Sequence, residues 1–156
     1  MIVVEIPGRE KPLQIEHAVL DYNGTIAVDG VLLPEAARRI KELLTLVKVH
    51  VLTADTYGTV RAQCAPLGVE VHTFPRAGAG MCKREIAAAL QGGTACFGNG
   101  YNDIPMFDLA DLAVAVVEGE GACAALLPHA DVVVRSAAEG LDLLLKPQRL
   151  RATLRN

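Results

Sequence analysis

Short apolar runs alternate with helical segments along most of this chain, and the runs end on polar residues. Ala18-Val19-Leu20 closes on Asp21, and Val49-His50-Val51-Leu52 closes on Thr53. Thr94 to Phe97 leads into Gly98-Asn99-Gly100-Tyr101-Asn102-Asp103. Strands alternating with helices mean right-handed βαβ units and a parallel sheet covered on both faces. The expected fold class is α/β, a three-layer Rossmann-like sheet. Such sheets bind ligands just beyond the carboxyl ends of their strands, where these polar residues fall.

The other elements follow from similar signals. Ile2 to Ile6 alternates apolar and polar residues, and Leu13 to Glu16 returns after Pro7-Gly8, which predicts a small hairpin near the N-terminus. Val28-Asp29-Gly30-Val31 predicts a second hairpin that could overhang Asp21. Pro34 suits a first helical position, and apolar residues recur at helical spacing over Glu35 to Leu46. Thr59 to Leu67 reads as a short helix stopped by Pro66 and Gly68, then Val69 to Phe74 as a strand. Met81 to Leu90 reads as a helix with Lys83 in its first turn. Ile104 to Ala110 and Ala122 to Leu127 read as short helices, Leu112 to Val117 and Val132 to Val134 as strands. Ala137 to Leu145 is the last long helix. Pro147 breaks it, and Arg149, Arg151 and Arg155 form a basic tail. No Gly-x-Gly-x-x-Gly follows the first core strand, so a dinucleotide site of the usual kind is not supported.

Composition excludes several classes of function. A net charge of -3 argues against a nucleic acid bound through a basic face. The apolar runs are too short to span a membrane, and the first residues lack a signal-peptide pattern, so a cytoplasmic protein is expected. Cys64, Cys82, Cys96 and Cys123 lack C-x-x-C spacing and read as small hydrophobes in a reducing compartment. His17, His50, His72 and His129 are not clustered, and His50 and His72 read as packing or surface residues within strands.

The strand ends carry the chemistry. Asp21, Thr53, Lys83 and Asp103 would bring a carboxylate, a hydroxyl, an ammonium and a second carboxylate to one end of the sheet. Phosphoryl transfer to an aspartate needs such a set. One carboxylate attacks phosphorus, a magnesium ion held by oxygens offsets the charge of both partners, and a lysine and a hydroxyl bind the equatorial oxygens. Each feature alone has a plainer reading. Asp21 to Gly24 could be only a turn, the Asn102-Asp103 pair a helix cap, and Lys83 a surface residue beside Arg84. Asp55 reads as a cap of the following helix and Arg76 as a solvated arginine. The order of all four motifs on an α/β chain favours the site.

These residues resemble the haloacid dehalogenase superfamily of phosphohydrolases. Its first motif, Asp-x-Asp-Gly-Thr or a variant, is matched by Asp21-Tyr22-Asn23-Gly24-Thr25, and its second by Val51-Leu52-Thr53. Lys83 matches the third, and Gly98 to Asp103 the fourth, Gly-Asp-Gly-x-x-Asp. The match covers residues 17 to 135. Thr53-Ala54-Asp55 further resembles the Thr-Gly-Asp of the ion pumps, as in soluble P-type-ATPase-like phosphatases. The resemblance implies Asp21 as nucleophile, with Asn23, Thr53 and Lys83 completing the catalytic set. It implies that Gly24, Thr53, Ala54 and Lys83 bind phosphate, and that Asp21, Asn23, Asn99 and Asp103 hold magnesium. It also implies a single domain over residues 1–156 with no cap, since no stretch between the motifs is long enough for one.

Two departures matter. The family's phosphatases usually carry an aspartate two residues after the nucleophile, which protonates the leaving group and then activates water. Asn23 does neither, although its backbone carbonyl can still bind the metal. Asn99 is the second departure, at a position often held by an acid; Asp103 is then expected to be the main second carboxylate of the metal site. The enzyme expected is a magnesium-dependent phosphatase with a slow or unusual second step. The alternative is a phosphate- and metal-binding regulatory module with little turnover. The open site suits a small or macromolecular phosphorylated substrate, and the early hairpins are compatible with a homo-oligomer.

Overall fold

The computed structural model of the chain describes residues 1–55 and 58–156. Its centre is a six-stranded parallel sheet. The strands are β3 (His17–Asp21), β6 (Lys48–Thr53), β7 (Glu70–Thr73), β8 (Thr94–Gly98), β9 (Leu112–Val116) and β10 (Val132–Val134), in the order β10-β9-β8-β3-β6-β7. The chain builds from β3 through β6 to β7, then returns to the other side of β3 for β8, β9 and β10. The strand order therefore switches between β3 and β8, and loops diverge there to leave a crevice.

Two antiparallel hairpins complete the sheet structure: β1 (Ile2–Val4) with β2 (Leu13–Ile15), and β4 (Ala27–Val28) with β5 (Val31–Leu32). The second reaches the loop after β9. The Asp29 amide at its tip donates to Glu120, in the loop after β9, at 3.2 Å.

Helices cover both faces, and β3 is buried along its whole length. On one face Ala18 and Leu20 pack with Ala36, Ile40 and Leu43 of α1 (Pro34–Leu43), Leu141 and Leu144 of α5 (Ala137–Leu145), and Leu150 of α6 (Pro147–Leu154). The i, i+4, i+7 spacing of the α1 residues puts them on one stripe. Burying Ile40 and Leu43 contributes about 1.5–3 kcal/mol each. On the other face Val19, Leu52 and Cys96 pack with Ala79 and Ala87 of α3 (Ala79–Ala88) and with Met106 and Phe107 of α4 (Ile104–Phe107). Arg39 ties α1 to α5 through a two-pronged contact with Asp142, Nε to Oδ1 at 3.0 Å and Nη2 to Oδ2 at 3.3 Å.

Several elements differ from expectation. Helix α3 begins at Ala79, so Lys83 lies in its second turn. The expected helix at Thr59 to Leu67 is α2 (Thr59–Cys64) followed by a 3-10 turn at Ala65–Leu67. Pro66 sits early in that turn, where its missing N–H costs nothing. Residues Ala124–His129 form 3-10 helix. Pro147 opens α6 instead of ending the structure, and Leu150 docks the supposed tail, fully buried, into the core. Among the described residues, no helix is long and apolar enough to cross a membrane.

Candidate active site

A cleft of about 190 Å³ opens at the carboxyl end of β3. Asp21, Asn23, Thr53, Ala54, Lys83 and Asn99 all contribute to its wall. Five of these come from the ends of three adjacent strands, and Lys83 reaches in from α3.

Asp21 and Lys83 form the centre. The Lys83 ammonium donates to Asp21 Oδ1 at 2.8 Å, Asp103 Oδ1 at 2.7 Å and Asn102 Oδ1 at 2.8 Å. All three of its protons are used. Burial works against this ammonium, but the carboxylates of Asp21 and Asp103 outweigh it and raise the Lys83 pKa. Burial, followed by the charge of Asp103, pushes the Asp21 carboxyl up to about 7, while Lys83 pulls it down. A divalent cation beside Asp21 would add a second opposing charge and favour the carboxylate.

Thr25 holds the other Asp21 oxygen. Its hydroxyl lies 2.9 Å from Asp21 Oδ2 and 3.2 Å from Asn99 Oδ1. One hydroxyl has one proton, and it goes to the shorter, charged acceptor. Asn99 Nδ2 donates to the Gly121 carbonyl at 3.1 Å, which leaves Oδ1 on the Thr25 side. Asn99 Oδ1 thus keeps lone pairs for a ligand. Gly24 permits this approach: its φ is +80°, and a side chain there would collide with the Asn99 amide.

Asp103 departs from its expected place. Its Oδ1 accepts from Lys83, and its Oδ2 accepts from the Asn99 and Gly100 amides at 3.1 and 2.9 Å. It is fully buried behind the cleft, so it positions Lys83 and the 99–100 loop instead of facing a metal. Of the residues expected to hold a metal, Asp21, Asn23 and Asn99 line the cleft. Oxygen-only donors fit a hard cation such as magnesium, with a single carboxylate among them.

Thr53 Oγ1 accepts from the Asp55 amide at 3.0 Å, which leaves its proton for a ligand. Asp55 accepts from Thr59 Oγ1 and the Val60 amide, at 2.7 and 3.1 Å, at the start of α2. Arg76 is exposed. Thr25 and Asn102 join the site beside the expected residues. Thr25 closes the first motif, and its spacing from Asp21 was the available signal. Asn102 had none beyond its place in the fourth motif.

The fold and cleft define a Rossmann-type α/β protein with a charged site at its switch point. A family model described as haloacid dehalogenase-like hydrolase matches residues 89–141. Uncharacterized protein MJ0073 of Methanocaldococcus jannaschii is 42% identical over 59 residues, which covers 38% of this chain and 63% of that protein. A soluble P-type ATPase-like phosphatase of the same organism is 29% identical over 143 residues, covering 89% of this chain and 52% of its own. The chain thus spans between about half and under two thirds of these relatives. A crystal structure of a probable YrbI family phosphatase from Pseudomonas syringae superposes with a TM-score of 0.73 at 23% identity, covering 87% of this chain and 88% of that one. A 3-deoxy-D-manno-octulosonate 8-phosphate phosphatase from Moraxella catarrhalis, in complex with magnesium ion, phosphate ion and KDO, superposes at 0.69 and 14% identity, covering 88% and 90%. These likenesses support a member of the haloacid dehalogenase superfamily, with the family model matching the stretch from β8 to α5.

Proposed function

We propose that this chain is a capless, magnesium-dependent phosphohydrolase that works through an aspartyl phosphate on Asp21 and is related to the soluble P-type-ATPase-like phosphatases. The observation that carries the reading is the Asp21–Lys83 contact at 2.8 Å, in the cleft that Thr53 at the end of β6 also lines. The likeness to phosphatases, one of them described with magnesium and phosphate bound, supports it.

A phosphomonoester would enter the cleft with its phosphoryl group between Asp21, Thr53 and Lys83. The Asp21 carboxylate forms a bond to phosphorus as the ester P–O bond breaks. Thr53 and Lys83 stabilise the charge on the equatorial oxygens. Magnesium, when held by Asp21, the Asn23 carbonyl and Asn99, offsets the charge that otherwise keeps a phosphate from a carboxylate. The departing alkoxide takes its proton from solvent, because the Asn23 amide cannot give one. Water then attacks the phosphorus of the acyl phosphate, releases phosphate and restores Asp21. No carboxylate at position 23 activates that water, so this second step is the slow one.

The test uses an aryl phosphate with magnesium, on wild type, Asp21→Asn and Asn23→Asp. Turnover that needs magnesium and disappears in Asp21→Asn is expected, with Asn23→Asp faster by about 10²-fold, the usual worth of a general acid–base group. Activity surviving Asp21→Asn would sink the mechanism. No wild-type turnover, with activity gained in Asn23→Asp, would instead make the natural protein a phosphate- and metal-binding module.

A further inference from the structure

The geometry points to a second metal site on the face of the sheet that packs on α3, formed by His50, Glu70 and His72 and suited to zinc. The parallel register of β6 and β7 creates it. His50 pairs with Glu70, and Leu52 with His72, so all three side chains stand on one face, Glu70 and His72 on the edge strand β7 and His50 on its neighbour β6. His50 Nδ1 lies 3.1 Å from Glu70 Oε2 and 3.2 Å from His72 Nε2, and those two atoms are 3.6 Å apart. Tetrahedral zinc with bonds of about 2.0–2.1 Å spaces its ligand atoms about 3.3–3.4 Å apart. The three atoms already form one face of such a tetrahedron.

The proton inventory leaves this triangle in need of a cation. His17 Nε2 is 3.0 Å from the Gln91 carbonyl, which only accepts, so that nitrogen carries the proton of a neutral His17. Its bare Nδ1 then accepts from His50 Nε2 at 3.0 Å. His50 Nδ1 is consequently bare and faces the Glu70 carboxylate. His72 Nε2 holds at most one proton to place among three acceptor atoms. An ion in the centre satisfies all three lone pairs, while His17 fixes the tautomer and orientation of the ligating His50, as outer partners of metal-bound histidines do.

Two imidazoles and one carboxylate select zinc and its transition-metal neighbours over magnesium. The site is reachable, because the Glu70 and His72 side chains are 66% and 31% exposed. That leaves a fourth position for water or for a group from another molecule.

Cobalt(II) serves as the spectroscopic stand-in for zinc, added to the intact protein with magnesium in large excess to occupy the oxygen-lined cleft. We expect one equivalent to bind with the strong visible absorption of tetrahedral cobalt, zinc to bleach it, and zinc to raise the melting temperature. His72→Ala and Glu70→Gln, both at the exposed edge, should weaken binding at least 10-fold, while Asp21→Asn leaves the spectrum intact. His17→Gln should weaken binding about 10-fold or more through loss of the outer partner. The assignment fails if no such spectrum develops, if it survives His72→Ala, or if Asp21→Asn abolishes it. The last outcome would place the cobalt in the cleft.

Discussion

Two polar clusters lie on this sheet, and they are assembled by different means. At the carboxyl ends, Asp21 meets an ammonium from α3 and a carboxylate from the loop after β8. One ammonium faces two carboxylates, so opposing charges hold the cluster, and its members come from a strand end, a helix and the turn after β8. The row His17, His50, His72 is uncharged when neutral, and strand register alone aligns it. The charged cluster depends on Lys83 reaching both carboxylates. A row built on register is as rigid as the sheet. Damage to the first should therefore appear in turnover, and damage to the second in stability or metal binding.

The largest effect should come from Lys83→Met. It removes the ammonium between Asp21 and Asp103 and leaves the two carboxylates buried together without a counter-ion. We expect kcat/KM for an aryl phosphate to fall by about 10³-fold, roughly 4 kcal/mol of transition-state stabilisation. Lys83→Arg keeps the charge but not a compact three-proton donor and should recover only part of it. His72→Ala, measured alongside, should stay within about 2-fold of wild type, the behaviour of a residue that does not line the cleft. Equal losses in Lys83→Met and His72→Ala would show that the two clusters act as one.

Two glycines sharpen the same contrast. A side chain on Gly93, in the turn before β8, would run into the backbone carbonyl of Gln14, and the Gly93 carbonyl accepts from the Glu16 and His17 amides. Backbone cannot step aside cheaply, so Gly93→Ala should cost about 3 kcal/mol in urea unfolding, with near-normal kcat in the molecules that remain folded. Gly24→Ala meets the Asn99 side chain, which can swing away. Its left-handed backbone costs about 1 kcal/mol. Displacing Asn99 also spoils the oxygen set, so activity and magnesium affinity should fall more than stability.

Much of the charged cluster was legible in the sequence because its members sit at strand ends within short motifs. Asp21, Thr53 and Lys83 were placed from local signals, and the structure brings their side chains to one cleft. Asp103 was misplaced because spacing shows that a carboxylate is near, not which way it turns. Two backbone amides and Lys83 turn it inward. The histidine row was not legible. Its members are 33 and 22 residues apart, and only the pairing of β3 with β6 and β6 with β7 joins them. The sixth helix was lost for a related reason: Pro147 stops a helix when read as an ending and starts one when it falls at the first position.

The smallest effect is also the most specific to the row. His17→Leu leaves the buried His50 Nε2 proton without its acceptor, an unmade hydrogen bond that costs about 1–2 kcal/mol. The unfolding free energy from urea titrations should fall by that amount, with activity on an aryl phosphate unchanged. Removing the orphaned donor as well, in His17→Leu with His50→Leu, should return part of the loss, since two apolar partners leave no polar group unpaired. The coupling free energy between positions 17 and 50 then measures how strongly register ties the row together. Additive losses would mean that the two histidines only fill space, and the tautomer assigned to His50 would lose its basis.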